Sequence, residues 1–279
     1  MRGEVDPACF DAPLFAGLHG FRDVLQEPQW PAVQRLDARL QVPGKQFVVQ
    51  DDALLRDGLH YEQRIAMGLI ATRADNWHDL FNALVWARYP AIKQALNARQ
   101  CLHIAAMGTS QRNRAQAALT QFDETGLIVR VRDAGLLQAW DRHDWTSLFV
   151  RDAAHWQAGD IGVVAVIGHA LMEQALLPGR RLVGKCLVLC GDDDDACVAR
   201  LARAIAVGEV LANPAELRPL PLAGIPGWHA AQDAAFYQQV DYFRPLREGR
   251  RYTPPPDQRS GATGPINSVT VGRYRIGGG

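Results

Sequence analysis

The side chains best suited to chemistry lie in one predicted helix, residues 75–86. It carries His78, Asp79 and Asn82, which are an imidazole, a carboxylate and a carboxamide, and it has no Lys, Glu or Arg. At about 100° per residue its apolar side chains gather on one arc, with His78, Asn82 and Trp86 on nearly the opposite one. A helix that coats a surface would place charged residues on that arc, so we expect it to face a pocket or other polar groups. We predict that His78 is an acid, base or ligand, Asp79 its carboxylate partner or a second ligand, and Asn82 an orienting group.

The same helix has a second interpretation without chemistry. Asp79 would then complement the N-terminal dipole of the helix, and His78 would be a hydrogen-bonded core histidine. In either case Asp75 or Asn76 can cap the helix, and Pro90 ends or redirects the chain.

His169 and Glu173 form a second polar pair, four residues apart in the helix predicted after the buried, strand-like run 161–167. This spacing places both on one helix face, which Met172 and Leu176 flank. The pair can supply two ligands to one metal, or a carboxylate that orients an imidazole. The alternative is a buried His–Glu hydrogen bond that stabilises the core.

Two adjacent carboxylates, Asp123 and Glu124, precede Gly126, which we interpret as the turn between two extended runs. We therefore predict a β-hairpin whose mouth carries both acids. They could act as ligands or in acid/base chemistry, or be ordinary solvated side chains.

Together these residues favour a two-histidine, carboxylate-rich site suited to a divalent metal such as zinc or manganese, or to iron. The leading hypothesis is a metal-assisted hydrolase. Its rival is a non-enzymatic binding or scaffold protein in which the same groups form a buried polar network. The predicted metal ligands are His78, His169, Glu173 and Asp123, and the predicted catalytic residues are His78, Asp79, Asn82 and Glu124.

The elements that must position these residues indicate a helix-dominated α+β domain over residues 10–247, followed by a disordered tail, 248–279. The helix predicted at 91–101 presents Lys93 outward. One small sheet or hairpin is expected, from strands near residues 47, 122, 128, 164 and 187.

Composition restricts the partners. Thirty basic residues balance thirty acidic ones, which argues against nucleic acid as the ligand and leaves a small molecule or a protein. The longest apolar run, 161–177, is shorter than the roughly 20 residues of a membrane span. The first residues lack a secretory signal, and five cysteines form no CxxC pair, so we expect a cytoplasmic protein without a disulfide framework.

Several long motifs resemble one bacterial family of unknown function, DUF3025. The resemblance spans roughly residues 10 to 247 in the same order. It implies a single domain over most of the chain and brings no known reaction, substrate or catalytic residue. The matching stretches include Asn76-Trp77-His78-Asp79-Leu80-Phe81-Asn82, Phe122-Asp123-Glu124, Gly168-His169-Ala170-Leu171 and Gly224-Ile225-Pro226-Gly227-Trp228.

Overall fold

Helices dominate the regular structure in the computed structural model, which describes residues 2–256. The α-helices are α1 (Arg22–Leu25), α2 (Val33–Leu40), α3 (Asp52–Leu55), α4 (Tyr61–Ala66), α5 (Trp77–Arg88), α6 (Pro90–Met107), α7 (Arg114–Thr125), α8 (Leu137–Asp141), α9 (Ala153–Gln157), α10 (His169–Ala175) and α11 (Asp194–Val207). The strands are β1 (Gln46–Val49), β2 (Leu69–Thr72), β3 (Gly126–Val131), β4 (Ile161–Val166), β5 (Val183–Cys190) and β6 (Arg218–Pro221). Much of the segment before α1 forms short 3-10 helices.

The larger sheet has four strands in the order β4-β3-β5-β6. Strands β3 and β5 pair in parallel at its centre, and β4 and β6 flank them antiparallel. Side chains alternate between the two faces of a strand, yet Leu127, Ile128 and Val129 of β3 are all fully buried. Both faces of β3 are therefore covered, and α7 and α11 are among the elements that contact the sheet.

A separate two-stranded parallel sheet joins β1 to β2. Helix α4 contacts β2 and also α6. The small sheet thereby places α4 beside α6. After β2 the chain continues into α5.

Helix α5 begins where the sequence indicates. Asn76 is its N-cap, and the side chain accepts a hydrogen bond of 3.0 Å from the backbone N–H of Asp79. Every residue from Asp79 to Trp86 is buried, because α5 packs against both α6 and α10. Pro90 is the first residue of α6, where its missing N–H removes no helical hydrogen bond.

The segment that joins α7 to β3 is hydrogen-bonded to the segment that joins β4 to α10. The backbone N–H groups of Ile167 and Gly168 both donate to the carbonyl of Gly126, each at 2.9 Å. A Cβ on Gly168 would lie 2.6 Å from backbone atoms of Thr125, so the close approach requires glycine. The start of α10 is thus held against the end of α7.

The α+β, helix-dominated prediction is confirmed, with three corrections to its detail. Residues near 122 belong to α7, so Asp123 and Glu124 lie on a helix and the predicted hairpin mouth is wrong. The strand near residue 47 lies in the small sheet, so there are two sheets instead of one. Lys93, predicted outward, is buried.

Part of the predicted tail, residues 248–256, contacts the domain. Arg250 donates to the carbonyl of Ala215, at 2.6 Å, and Tyr252 hydrogen-bonds His143 at 2.8 Å. The rest of the predicted tail, residues 257–279, lies outside the described residues. Among residues 2–256, no helix has both the length and the apolar character needed to cross a bilayer.

Candidate metal centre

One face of α5 lines a cavity of about 350 Å³. His78, Asn82 and Trp86 recur every four residues and all contact this space. Residues of α4, α6 and α7, His169 of α10 and several residues between helices, including Arg73 and Arg112, complete its wall. The polar arc predicted from the sequence therefore faces a pocket.

Three potential ligand atoms meet at this wall, one from each of α5, α7 and α10. The Nε2 atoms of His78 and His169 are 3.1 Å apart. Oε2 of Glu124 lies 3.9 Å from Nε2 of His78 and 3.6 Å from Nε2 of His169. The structure thus brings the two predicted histidines together with a glutamate that was predicted as a catalytic acid or base.

The spacing of these atoms matches the size of a transition-metal ion. A point equidistant from the three atoms lies about 2.1 Å from each, within the usual range of Zn–N and Zn–O bonds. Two imidazoles and one carboxylate are also a ligand set found in catalytic zinc sites, where the fourth position is open. The three residues therefore fit zinc in both spacing and chemistry.

Glu173 contacts the opposite side of the His78 ring. Its Oε2 lies 3.0 Å from Nδ1 of His78. A carboxylate accepts a hydrogen bond from Nδ1–H, and with the proton on Nδ1 the Nε2 lone pair is free for a metal. Glu173, predicted as a direct ligand, is placed where an orienting carboxylate belongs.

Burial disfavours the charged forms of both His169 and Glu124. Burial lowers the pKa of His169 to about 3, although the nearby carboxylate and backbone carbonyl of Asp123 partly offset the effect. His169 is consequently neutral near pH 7, the form that binds metals. Burial raises the pKa of Glu124, and the proximity of His78 counteracts that shift.

Two other predicted residues are held by cations. The carboxylate of Asp79 binds Arg73 through Nε at 3.0 Å and Nη2 at 2.7 Å, so it is not the partner of His78. Asp123 forms an ion pair with buried Lys93. Burial by itself would raise the pKa of Asp123, but Lys93 and His169 hold it below its ordinary value.

Asn82 lies beside the centre without contacting His78. Its Nδ2 donates to the hydroxyl of Tyr61 at 2.9 Å, and its Oδ1 is enclosed with no hydrogen-bond partner among residues 2–256. The groups around the centre therefore do not form a fully satisfied polar network.

The ion pair of Lys93 with Asp123 was missed from the sequence. Lys93 is one of only three lysines in the chain. It lies three residues before Leu96, which is buried. Residues three apart share a helix face, so Lys93 lies near the inner face of α6. That position was the available signal, since a lysine near the apolar face needs an acidic partner.

The family model described as "Protein of unknown function (DUF3025)" matches residues 45–247. The chain belongs to the DUF3025 family. Comparison of the chain with curated proteins and with solved structures finds no match. In this DUF3025 chain, His78, Glu124, His169 and Glu173 all lie within the matched region.

Proposed function

We propose that this DUF3025 protein is a metal-assisted hydrolase in which His78, Glu124 and His169 hold one divalent ion. The observation that carries the proposal is the set of 3.1, 3.6 and 3.9 Å separations among their ligand atoms. Zinc is the first choice, because three such ligands leave a position for water in catalytic zinc sites. Manganese is the second, since it favours a larger share of oxygen ligands.

When bound, such an ion polarises an ester, amide or phosphoryl oxygen and lowers the pKa of a bound water. The chain's own residues prepare the site. Glu173 fixes the tautomer of His78, and burial keeps His169 neutral. Asp79 and Asp123 neutralise Arg73 and Lys93. The 350 Å³ cavity gives a small substrate room beside the centre.

The test is elemental analysis of protein purified without chelator or affinity-tag metal. We expect near-stoichiometric zinc or manganese in the native chain and loss of the metal in His78→Ala, His169→Ala and Glu124→Gln. His19→Ala is the matched control, because His19 is exposed and is not a member of the ligand set. Well-folded native protein that takes up no metal from zinc-containing buffer would refute the proposal.

The rival function is a non-enzymatic binding or scaffold protein. The observation in its favour is that a 3.1 Å contact between two imidazoles is also an ordinary hydrogen bond. With Glu173 beyond His78, the contact extends into a chain of polar groups that could stabilise the domain. Under this alternative, zinc leaves the melting temperature unchanged and His78→Ala lowers it.

We also propose that the protein acts in the cytoplasm on a small molecule. All five cysteines are free thiols, which suits a reducing compartment. The balance of thirty basic and thirty acidic residues argues against nucleic acid as the partner. The cavity supports a small ligand over a protein partner.

A further inference from the structure

Besides Asn82 and the half-buried Gln50, the cavity wall carries three buried side-chain amides away from His78 and His169, those of Asn97, Gln100 and Gln116. Their exposed fractions are 7%, 9% and 4%, so each is at least nine-tenths buried. A buried amide needs partners for both its oxygen and its nitrogen. Among residues 2–256, each of these three amides has hydrogen-bond partners at one end only.

Asn97 and Gln100, both on α6, use their nitrogen atoms. Nδ2 of Asn97 donates to the backbone carbonyl of Glu62 at 2.8 Å and to the carboxylate of Glu62 at 2.7 Å. Nε2 of Gln100 donates to the backbone carbonyl of Gln116 at 3.3 Å and to the hydroxyl of Thr120 at 3.1 Å. Because backbone carbonyls only accept, both amide orientations are fixed and both oxygens remain as acceptors.

Gln116 is oriented the other way. Its Oε1 accepts from the backbone N–H of Asn113 at 3.1 Å, as half of a capping box at the start of α7. Its Nε2 therefore remains as a donor. None of the three free atoms is fully enclosed, and none has a hydrogen bond among the described residues.

Apart from the proposed metal ion, the charged side chains around the cavity argue against an anionic ligand. Arg73 is paired with Asp79, and Lys93 with Asp123. The remaining lining cation, Arg112, is exposed. Recognition of a phosphate or carboxylate uses unpaired Arg or Lys groups, and the buried wall does not offer one.

We propose that this wall binds uncharged amides. Ligand N–H groups donate to Oδ1 of Asn97 and Oε1 of Gln100, and a ligand carbonyl accepts from Nε2 of Gln116. The wall offers two acceptor oxygens and one donor nitrogen, and these roles cannot be exchanged. An amide ligand matches them, because its N–H groups only donate and its carbonyl oxygen only accepts. A hydroxyl can donate or accept, so a wall with fixed roles does not select a polyol over other polar ligands.

The reaction of the bound amide rests on the proposed function. Water adds to the carbonyl carbon, the C–N bond breaks, and the nitrogen takes the proton that the water loses. The products are a carboxylic acid and an amine, with no change in oxidation state. The site would thus belong to an amide hydrolase instead of a phosphatase.

The test measures binding to metal-free protein, by saturation-transfer NMR and calorimetry. The probes are N-acetylglycinamide, sorbitol and phenyl phosphate. We expect the amide to bind in preference to the other two, and Gln116→Glu to weaken it at least tenfold. Glutamate keeps the oxygen that caps α7 but replaces the free donor with an acceptor. Gln94→Glu, an exposed site on α6, adds the same charge and should leave binding unchanged.

Preferred binding of sorbitol or phenyl phosphate, no binding of the amide, or equal amide binding by Gln116→Glu would overturn the inference. Repeating the measurement with His169→Ala separates it from the proposed function. Amide binding retained in His169→Ala supports the amide wall even if no metal binds. Zinc uptake by a protein that ignores the amide refutes the amide wall alone.

Discussion

Replacing Gly168 with alanine should destabilise the protein. The new Cβ would lie 2.6 Å from two backbone atoms of Thr125 and 2.8 Å from the backbone nitrogen of Gly126. No side-chain rotation relieves a clash with backbone, so the segment that joins α7 to β3 and the segment that joins β4 to α10 must separate. Strain of this kind costs about 1–3 kcal/mol of unfolding free energy. The φ of Gly168 is −65°, which alanine adopts freely, so the cost comes from the contact alone.

The same change should also release the proposed metal ion. Reaching ordinary van der Waals contact requires a movement of about 0.8 Å. His169 follows Gly168, and Glu124 precedes Thr125. If the whole movement fell between them, their 3.6 Å separation would grow to about 4.4 Å. Two ligands of one zinc ion can be at most about 4.2 Å apart. We therefore expect loss of stoichiometric zinc as well as of stability.

The assay is urea unfolding followed by circular dichroism, with zinc content measured on the folded protein. Gly162→Ala is the matched control, because Gly162 lies in β4 and its Cβ would meet only the end of the Arg130 side chain, at 3.9 Å. If Gly168→Ala matches Gly162→Ala in both stability and zinc content, the reasoning about the contact between the two segments is wrong.

Two further predictions concern single side chains. Glu173→Ala should lower zinc affinity by about tenfold without unfolding the protein, because the orienting partner of His78 is lost. Competition with a chromophoric chelator measures this, and Gln174→Ala, which should have no effect, is the control. Burial raises the pKa of Glu62 above 4.5, so the stability linked to its protonated form is complete below pH 4.5 and lost as pH rises through the raised value. Glu62→Gln should therefore raise the melting temperature at pH 7.5 and not at pH 4; an equal change at both would contradict it.

The local part of the site could be predicted from the sequence, and its assembly could not. The absence of long charged side chains from α5 indicates a helix with a polar face toward a pocket, and Asn76 marks its start. Nothing along the chain says that α10 packs on α5, because that contact depends on the whole core. The meeting of His78 with His169 was therefore a hypothesis until the fold placed them together.

The error at Asp123 and Glu124 has a local cause. Gly126 suggests a turn between strands, but here it follows a helix directly and begins β3. Ala118, Leu119 and Phe122 are buried at helical spacing. The helix continues to Thr125, and the apolar spacing that ends at Phe122 was the stronger signal. Because both acids lie on a helix, Glu124 reaches the histidines while Asp123 turns toward Lys93.

The three candidate ligands lie on three different helices, α5, α7 and α10, so a bound ion would also link distant parts of the chain. An ion bound to His78, Glu124 and His169 would bridge two loops of roughly 45 residues each, much as a crosslink does. Occupancy would then restrain the whole stretch between α5 and α10, and unfolding either loop would require release of the ion. Resistance to proteolysis between these helices should increase with zinc concentration, so a protease could report on the site without any substrate.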